Sequence, residues 1–191
     1  YIEVTGLEIM DSAKEEGNRR GVLIEGSNAG TLSHIYVSGL YIHDIRGVLD
    51  AANSGMSLES KQTGGIQVWV SNNSVATRFD DVRLDSNKIT NVDSVGISTW
   101  GDPDFINSKL TPGTTAWKAT RFTNLKIRNN VISDIGKNGI FVREDDHGLI
   151  EGNIIYNTAY RAISGNQIVT KDVDGTVIQY NEGFLNRAIA D

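Results

Sequence analysis

Cysteine is absent from this chain, so neither disulfide bonds nor thiolate metal sites contribute to it. Basic side chains are in deficit: 18 Lys and Arg face 24 Asp and Glu, and the net charge is -6. This deficit argues against a nucleic-acid partner, because phosphate binding needs a basic surface. No apolar run is long enough to span a membrane.

The residues that are present suit one packed domain with many tight corners. Hydrophobic residues make up 39% of the 191 positions, which supports a core, and 20 glycines are spread along the chain. Tyr1 starts directly in a strand pattern, and Asp191 ends where another strand is due. We therefore expect a single domain over residues 1–191 that is truncated at one or both ends.

Three short runs of alternating apolar residues fill residues 122–143. They contain Ile127, Ile132 and Ile140, and each is too short for a helix, while the alternation predicts strands. The pattern then returns, with Ile155 lying 23 residues after Ile132. A period of this size, made of three short strands, predicts one rung of a solenoid.

Aligning the isoleucine of each second strand extends the repeat over the chain. The aligned residues are Ile9, Ile42, Ile89, Ile132, Ile155 and Leu185. The sequence therefore predicts an all-β fold: a right-handed parallel β-helix of about six rungs with three short strands each, its handedness following the crossover rule. Long insertions, such as residues 44–64 and 101–118, fall on either side of the third strands and predict loops that border a groove.

The third strands supply the floor of that groove. Four of them are read as beginning with Gly before an apolar residue, and the one in rung five is read as residues 162–166. Alternation directs the third and fifth residues of each strand to solvent. The fifth residues form the column Glu25, Trp69, Trp100, Arg143 and Asn166, and the third residues include Gln67, Ser98, Phe141 and Ser164.

Asp or Asn recurs two residues after most of the aligned isoleucines, as in Asp44, Asn91, Asp134 and Asn157. Stacked on successive rungs, these residues would form a ladder. A row of carboxylates that binds cations is one interpretation. A ladder of turn residues is favoured, because the ladder follows the repeat and ignores the insertions.

Trp69, Trp100 and Arg143 are the candidate substrate-binding residues, with Gln67 and Asn166 beside them. Trp faces stack on sugar rings, and an Arg fork pairs with a uronate or sulfate. The alternative is that the two tryptophans support the long loops above them.

The candidate catalytic residues are acidic and lie at two corners. Glu144, Asp145 and Asp146 follow Arg143, and Asp102 occupies the corresponding corner one rung earlier. Stacked corners would bring carboxylates to roughly 5–9 Å, which spans both glycosidase geometries. These residues are also ordinary turn formers, and that interpretation stays open.

One further segment and the histidines are given no functional role. Residues 171–174 are expected to be a solvated loop. The three histidines have no metal-ligand spacing, so no metal site is predicted.

Four segments carry a family resemblance: Gly39–Ile45, Arg128–Ile135, Leu149–Asn153 and Thr176–Asn181. With them the chain resembles the right-handed parallel β-helix superfamily that includes pectate lyases, and most closely the bacterial β-helix repeat proteins found beside carbohydrate-degrading enzymes. The Asn-Thr-Asp, Gly-Asp-Asp and Gly-His-Gly motifs of polygalacturonases are missing, and Asp-His-Gly at His147 matches the last of them only in part. The resemblance implies a secreted, periplasmic or cell-surface protein that acts on a polysaccharide or oligosaccharide.

Three hypotheses for function follow. A glycoside hydrolase without a cofactor is preferred, because acidic groups outnumber basic ones at the groove rim. A polysaccharide lyase on uronate polymers would use Arg143 or Lys171 as base, with calcium on the carboxylates. A non-catalytic glycan-binding or structural β-helix, of the adhesin or tailspike kind, is the third.

Overall fold

The computed structural model describes residues 1–49, 61–103 and 110–188. Its elements in the first three rungs are β1 (Ile2–Thr5), β2 (Glu8–Met10), β3 (Arg20–Ser27), β4 (Gly30–Ser38), β5 (Tyr41–Ile45), β6 (Gly64–Asn72), β7 (Thr77–Asp85), β8 (Lys88–Val92) and β9 (Val95–Trp100). The later elements are α1 (Thr115–Thr120), β10 (Phe122–Thr123), β11 (Lys126–Arg128), β12 (Val131–Ile135), β13 (Ile140–Arg143), β14 (Asp145–Asp146), β15 (Leu149–Glu151), β16 (Ile154–Thr158), β17 (Ile168–Lys171), β18 (Val177–Gln179) and β19 (Glu182–Asn186).

Corresponding strands of successive rungs pair in parallel and build three sheets. Sheet A stacks in the order β1-β4-β7-β11-β15-β18, and β10 and β14 extend it. Sheet B runs β2-β5-β8-β12-β16-β19, and sheet C runs β3-β6-β9-β13-β17. The predicted parallel β-helix is therefore confirmed, with six rungs in the described chain, the last of them represented by β18 and β19 alone.

The aligned isoleucines stack inside the β-helix. Ile42, Ile89 and Ile132 face one another in register and are fully buried, and Ile9 and Ile155 continue the column on either side. Burying each such side chain contributes about 1.5–3 kcal/mol. The assignment of Leu185 to this column is wrong. Gly183 pairs with Ile155 instead, and Leu185 is exposed with a φ of +53°.

The Asp/Asn ladder lies at left-handed corners. Asp44, Asn91, Asp134 and Asn157 have φ values between +51° and +55°, a region that Asn and Asp tolerate better than most residues. The Asn91 amide donates to Asp44, and the Asn157 amide donates to Asp134. These contacts favour the interpretation as turn residues.

A second ladder, of asparagines, lies inside the β-helix and went unpredicted. Its members are Asn87, Asn130, Asn153 and Asn181. Each side-chain oxygen of the last three accepts the backbone N–H of the asparagine one rung earlier, at 2.9–3.0 Å. A sequence signal did exist, since three of the four stand two residues before an aligned isoleucine.

The predicted third strand of rung five is wrong. Ile168, not Ile163, pairs with Ile140, so the strand is β17 and residues 162–166 precede it. Val169 and Lys171 therefore replace Ser164 and Asn166 in the two outward columns. The expectation that Lys171 belongs to a solvated loop falls with the same correction.

The predicted long insertions lie only partly within the described residues. In the portion that the structure does describe, no helix is long and apolar enough to cross a membrane.

Candidate functional site

The outward face of sheet C was predicted to be an open floor, and most of it is covered. Gln67, Ser98 and Trp100 are 0% exposed and Arg143 is 1% exposed. Trp100 packs with Val95 and Phe141 into a second, smaller apolar cluster, against which Trp69 and Val169 lie. The prediction that these columns face solvent is therefore wrong at Gln67, Trp100 and Arg143.

Trp100 and Gln67 belong to one buried chain of hydrogen bonds. The Trp100 indole N–H donates to Ser98 Oγ at 2.9 Å, and Ser98 Oγ donates to Gln67 Oε1. The Gln67 amide donates to the Thr63 carbonyl at 3.2 Å. The polar ends of both side chains thus have partners inside the protein, which favours the supporting role for Trp100.

Trp69 and Asn166 keep some solvent exposure. Trp69 is half-buried, and the Arg20 guanidinium lies over its ring at 4.6 Å from the centroid. Asn166 is exposed, lies outside the predicted column, and donates its backbone N–H to Asn138 Oδ1 at 3.0 Å. Of the two candidate tryptophans, Trp69 alone is reachable by a ligand.

Arg143 and Glu144 form a buried ion pair at the end of β13. Arg143 Nη2 lies 3.1 Å from Glu144 Oε1, and the same nitrogen contacts Asp172. Glu144 Oε2 accepts the Gly101 N–H at 2.9 Å. Burial raises the pKa of Glu144 to about 7, although the Arg143 charge and the Gly101 N–H oppose this shift. Glu144 therefore titrates near neutral pH, well above the ordinary range of a glutamate.

Two more accessible carboxylates flank Glu144. Asp102 follows Gly101 and is half-buried, and the Asp172 side chain is 22% exposed. The negative charges of both residues add to the rise in the pKa of Glu144. Asp102, Glu144 and Asp172 together are called the acidic corner below. Asp172 was missed because residues 171–174 were interpreted as loop.

Lysines stand beside the acidic corner. Lys171 is exposed and is the register partner of Arg143 on the neighbouring strand. Burial lowers the pKa of Lys61, and the positive charges of Lys171 and Arg143 lower it further. The Lys61, Lys171 and Arg143 cations thus lie near one another, and Arg143 and Lys171 end their strands beside the acidic corner.

The Asp145 side chain stabilises a turn. It is fully buried, and its Oδ2 accepts the Gly148 N–H at 2.9 Å and the Thr176 hydroxyl at 2.6 Å. Burial raises the pKa of Asp145 to about 6, although both hydrogen bonds oppose it. The turn interpretation accounts for this residue.

Asp146 lies on the side of sheet A, because β14 pairs with β10. Its carboxylate contacts Arg121 and the exposed His147. Burial acts to raise the pKa of Asp146, but the hydrogen bonds from His147 and Arg121 outweigh it and lower that pKa. The four candidate catalytic residues therefore divide: Glu144 and Asp102 meet at one corner, and Asp145 and Asp146 belong to another. Within the described ranges, no group of three or more His, Asp or Glu side chains is arranged to hold a metal ion.

Comparison with known proteins adds an independent finding. No protein-family model matches the sequence. A lacto-N-biosidase of Bifidobacterium longum subsp. longum is 24% identical over 160 residues, which is 76% of this chain and 10% of that protein.

Two solved structures of the GH136 lacto-N-biosidase from Eubacterium ramulus are similar in fold. The native structure matches with a TM-score of 0.76 over 97% of this chain, and the selenomethionine derivative with 0.73 over 98%, each at 20% identity. This chain spans 38% of the solved chain and a tenth of the Bifidobacterium protein. The likeness shows that the chain shares the fold of part of a glycoside hydrolase.

Proposed function

We propose that this chain is part of a glycoside hydrolase that acts on an oligosaccharide. Both the sequence relative and the structural neighbours carry the name lacto-N-biosidase. Because the chain spans only a fraction of each of these proteins, their names alone do not carry the proposal, and it is argued from the residues of this chain.

The acidic corner is the observation that carries the proposal. Glycosidases need two carboxyl groups whose environments separate them into a proton donor and a charged partner. Here Asp102 and Asp172 are the two carboxyl groups that solvent reaches, and the fully buried Glu144, with a pKa raised to about 7, lies beside both of them. Asp102 is the predicted catalytic residue of this corner that a substrate can contact, and the fully buried Glu144 acts through the groups it holds.

The lyase hypothesis loses one of its two proposed bases. Arg143 was one candidate, and its guanidinium is buried against Glu144 and Asp172. The Arg143 fork is for the same reason unsuited to pair with a uronate of the substrate.

An assay of the chain on neutral and acidic oligosaccharides, including ones that end in lacto-N-biose, tests the proposal. We expect new reducing ends without the ultraviolet absorption of unsaturated sugars. Asp102→Asn should lower kcat by about 10²-fold or more, the range for loss of an acid–base group. New unsaturated ends would contradict the hydrolase proposal and support the lyase hypothesis.

A non-catalytic glycan-binding β-helix is the second candidate. The burial of Trp100, Arg143 and Asp145 favours it, because these predicted site residues serve the scaffold. It predicts that sugars bind and that no reducing ends form on any member of the panel.

A further inference from the structure

The carboxyl end of sheet C carries the acidic corner together with Arg143 and Lys171. β9, β13 and β17 are neighbours in this sheet, and they end at Trp100, Arg143 and Lys171. The residues that follow are Gly101, Glu144 and Asp172. The position after the strand therefore changes from glycine to a buried acid and then to an accessible acid.

The scaffold does not require charge at these positions. One rung before the Arg143–Glu144 pair, the same two columns hold Trp100 and Gly101, which form an apolar and uncharged layer. Taking an Arg–Glu pair out of water costs free energy that an apolar pair of similar volume avoids. A buried ion pair kept in place of such a layer points to a role besides packing.

The ion pair connects two accessible carboxylates. Arg143 Nη2 contacts Glu144 on one side and Asp172 on the other. Glu144 also accepts the N–H of Gly101, the residue directly before Asp102. A third contact fixes Asp172 from outside the sheet, because the Trp117 indole of α1 donates to its backbone carbonyl at 2.9 Å.

Acceptors and donors lie side by side at this place. Asp172 and Lys171 are consecutive, both reachable by solvent, and Lys61 is close enough for the charge of Lys171 to lower its pKa. A sugar hydroxyl donates one hydrogen bond and accepts others, so it needs carboxylates and ammonium groups together. An anionic sugar would meet the Asp102 and Asp172 carboxylates, and it would find the Arg143 fork already taken.

We propose that Lys171 and Asp172, with Asp102 beside them, bind the hydroxyl groups of a neutral sugar, and that the buried Arg143–Glu144 pair holds both aspartates in position. This deepens the proposed function, on which it rests, by naming a sugar site. The site would serve equally if the protein bound glycans without cleaving them.

Binding can be measured without turnover, by titrating the ¹⁵N-labelled chain with lacto-N-biose and following amide shifts by NMR. Galactose, N-acetylglucosamine and glucuronate are titrated in parallel. We expect the neutral sugars to shift the amides of residues 101–102 and 171–172, and glucuronate to leave them unchanged. Shifts confined to another face, no shift with any neutral sugar, or tighter binding of glucuronate would overturn the proposal.

Variants identify the residues. Asp172→Asn and Lys171→Met should each raise the Kd about tenfold, the size expected for losing a hydrogen bond to a charged group. Asp174→Asn, an exposed carboxylate three residues beyond Lys171, is the matched control and should bind as the wild type does. An unchanged Kd in both site variants would overturn the proposal even if the wild type binds.

Glu144→Gln tests the positioning role. It should raise the Kd about as much as Asp172→Asn does. The double variant Glu144→Gln with Asp172→Asn should bind no more weakly than either single variant, because both residues act through one arrangement. Fully additive effects would assign Glu144 a structural role only. If the wild type hydrolyses sugars and every variant still binds them, the glycosidase proposal stands and this sugar site is wrong. If sugars bind at this site and none is hydrolysed, the sugar site stands and the glycosidase proposal is wrong.

Discussion

Asn130 is bonded on every side inside the β-helix. Its Oδ1 accepts both the backbone N–H and the side-chain amide of Asn87, at 2.9 and 3.0 Å. Its own amide donates to the Leu84 carbonyl and to Asn153 Oδ1, at 2.8 and 2.9 Å. Buried backbone groups at a corner need such partners, because leaving one unsatisfied costs about 1–3 kcal/mol. The ladder therefore stabilises the corners between sheets A and B.

Removing this residue gives a direct test of the ladder. Asn130→Ala should lower the free energy of unfolding by about 3 kcal/mol, because Asn87, Leu84 and Asn153 all lose a partner. Urea denaturation measures the change. Asn129→Gly is the matched control: Asn129 is exposed and has a φ of +55°, which glycine adopts freely, so the change should stay within about 0.5 kcal/mol. Equal stability of the two variants would show that the ladder carries little free energy.

Glu144 makes stability depend on pH in a predictable direction. Burial raises its pKa from 4.5 to about 7, so the folded protein binds this proton more tightly than the unfolded chain does. The contribution of this proton to stability is complete below pH 4.5 and is lost as pH rises to 7 and beyond. Replacing the carboxyl group with an uncharged amide removes the dependence.

The stability of Glu144→Gln relative to the wild type should therefore increase as pH rises. Between pH 4.5 and 8 the difference in unfolding free energy, variant minus wild type, should increase by roughly 3 kcal/mol. Denaturation curves at several pH values measure it, and any contribution of Asp145 is common to both proteins. Glu182→Gln, which removes an exposed carboxyl group from β19, controls for the loss of one charge. A constant difference across this range would mean that Glu144 is already ionised at low pH.

At the scale of the strand, glycine marks where the third strand of a rung begins. A Cβ on Gly96 would lie 2.6 Å from the Gly139 carbonyl oxygen and 2.8 Å from Ile132 Cγ2. Gly65 and Gly139 are restricted in the same way by the carbonyl of the following rung. Close approach of one rung to the next therefore requires glycine there.

The last third strand provides the matched control. Gln167 occupies the equivalent position before β17, and the described chain has no further strand of sheet C beyond it. Gly96→Ala should destabilise the fold by about 2–3 kcal/mol, the usual cost of overpacking, while Gln167→Ala changes it by less than 1 kcal/mol. Thermal or urea unfolding measures both. Similar losses at the two positions would contradict the close-approach explanation.

The need for glycine at the start of the third strand explains which third strands could be predicted from the sequence. Gly before an apolar residue identified β6, β9 and β13 in register, because each has a following rung that demands glycine. At rung five Gln167 replaces it, so the rule selected Ala162–Ile163. Lys171 was therefore considered only as a lyase base, and Asp172 was missed. Alternation gave the direction of the side chains in β6, β9 and β13 correctly, but it carries no information on whether loops cover the outward face. Gln67, Trp100 and Arg143 were misjudged for that reason.

A solenoid is held mainly by contacts between neighbouring rungs, so links across several rungs matter for the whole molecule. Arg161, between β16 and β17, contacts Asp93 and lies 3.1 Å from Glu16, a residue between β2 and β3. Asp93 is 2% exposed and also lies 3.4 Å from Arg46. One guanidinium thus ties rung five to rungs one and three. These residues precede the strands of sheet C, whereas the acidic corner follows them.

Removing that link should weaken the protein in a pH-dependent way. Arg161→Met leaves Asp93 buried with Arg46 as its nearest positive charge among the contacts described, which should cost about 3 kcal/mol at pH 8. Burial raises the pKa of Asp93 even with Arg161 present, and loss of that charge raises it further. A protonated Asp93 needs no cation, so the cost should shrink as pH falls toward 4.

Unfolding measured at both pH values, with Arg187→Met as an exposed control, tests this link. The double variant Arg161→Met with Asp93→Asn should recover most of the loss, because the unpaired charge is gone. A loss that persists in the double variant, or that is the same at both pH values, would assign Arg161 to packing instead. In that case the Arg161 guanidinium would not couple rung five to rungs one and three electrostatically.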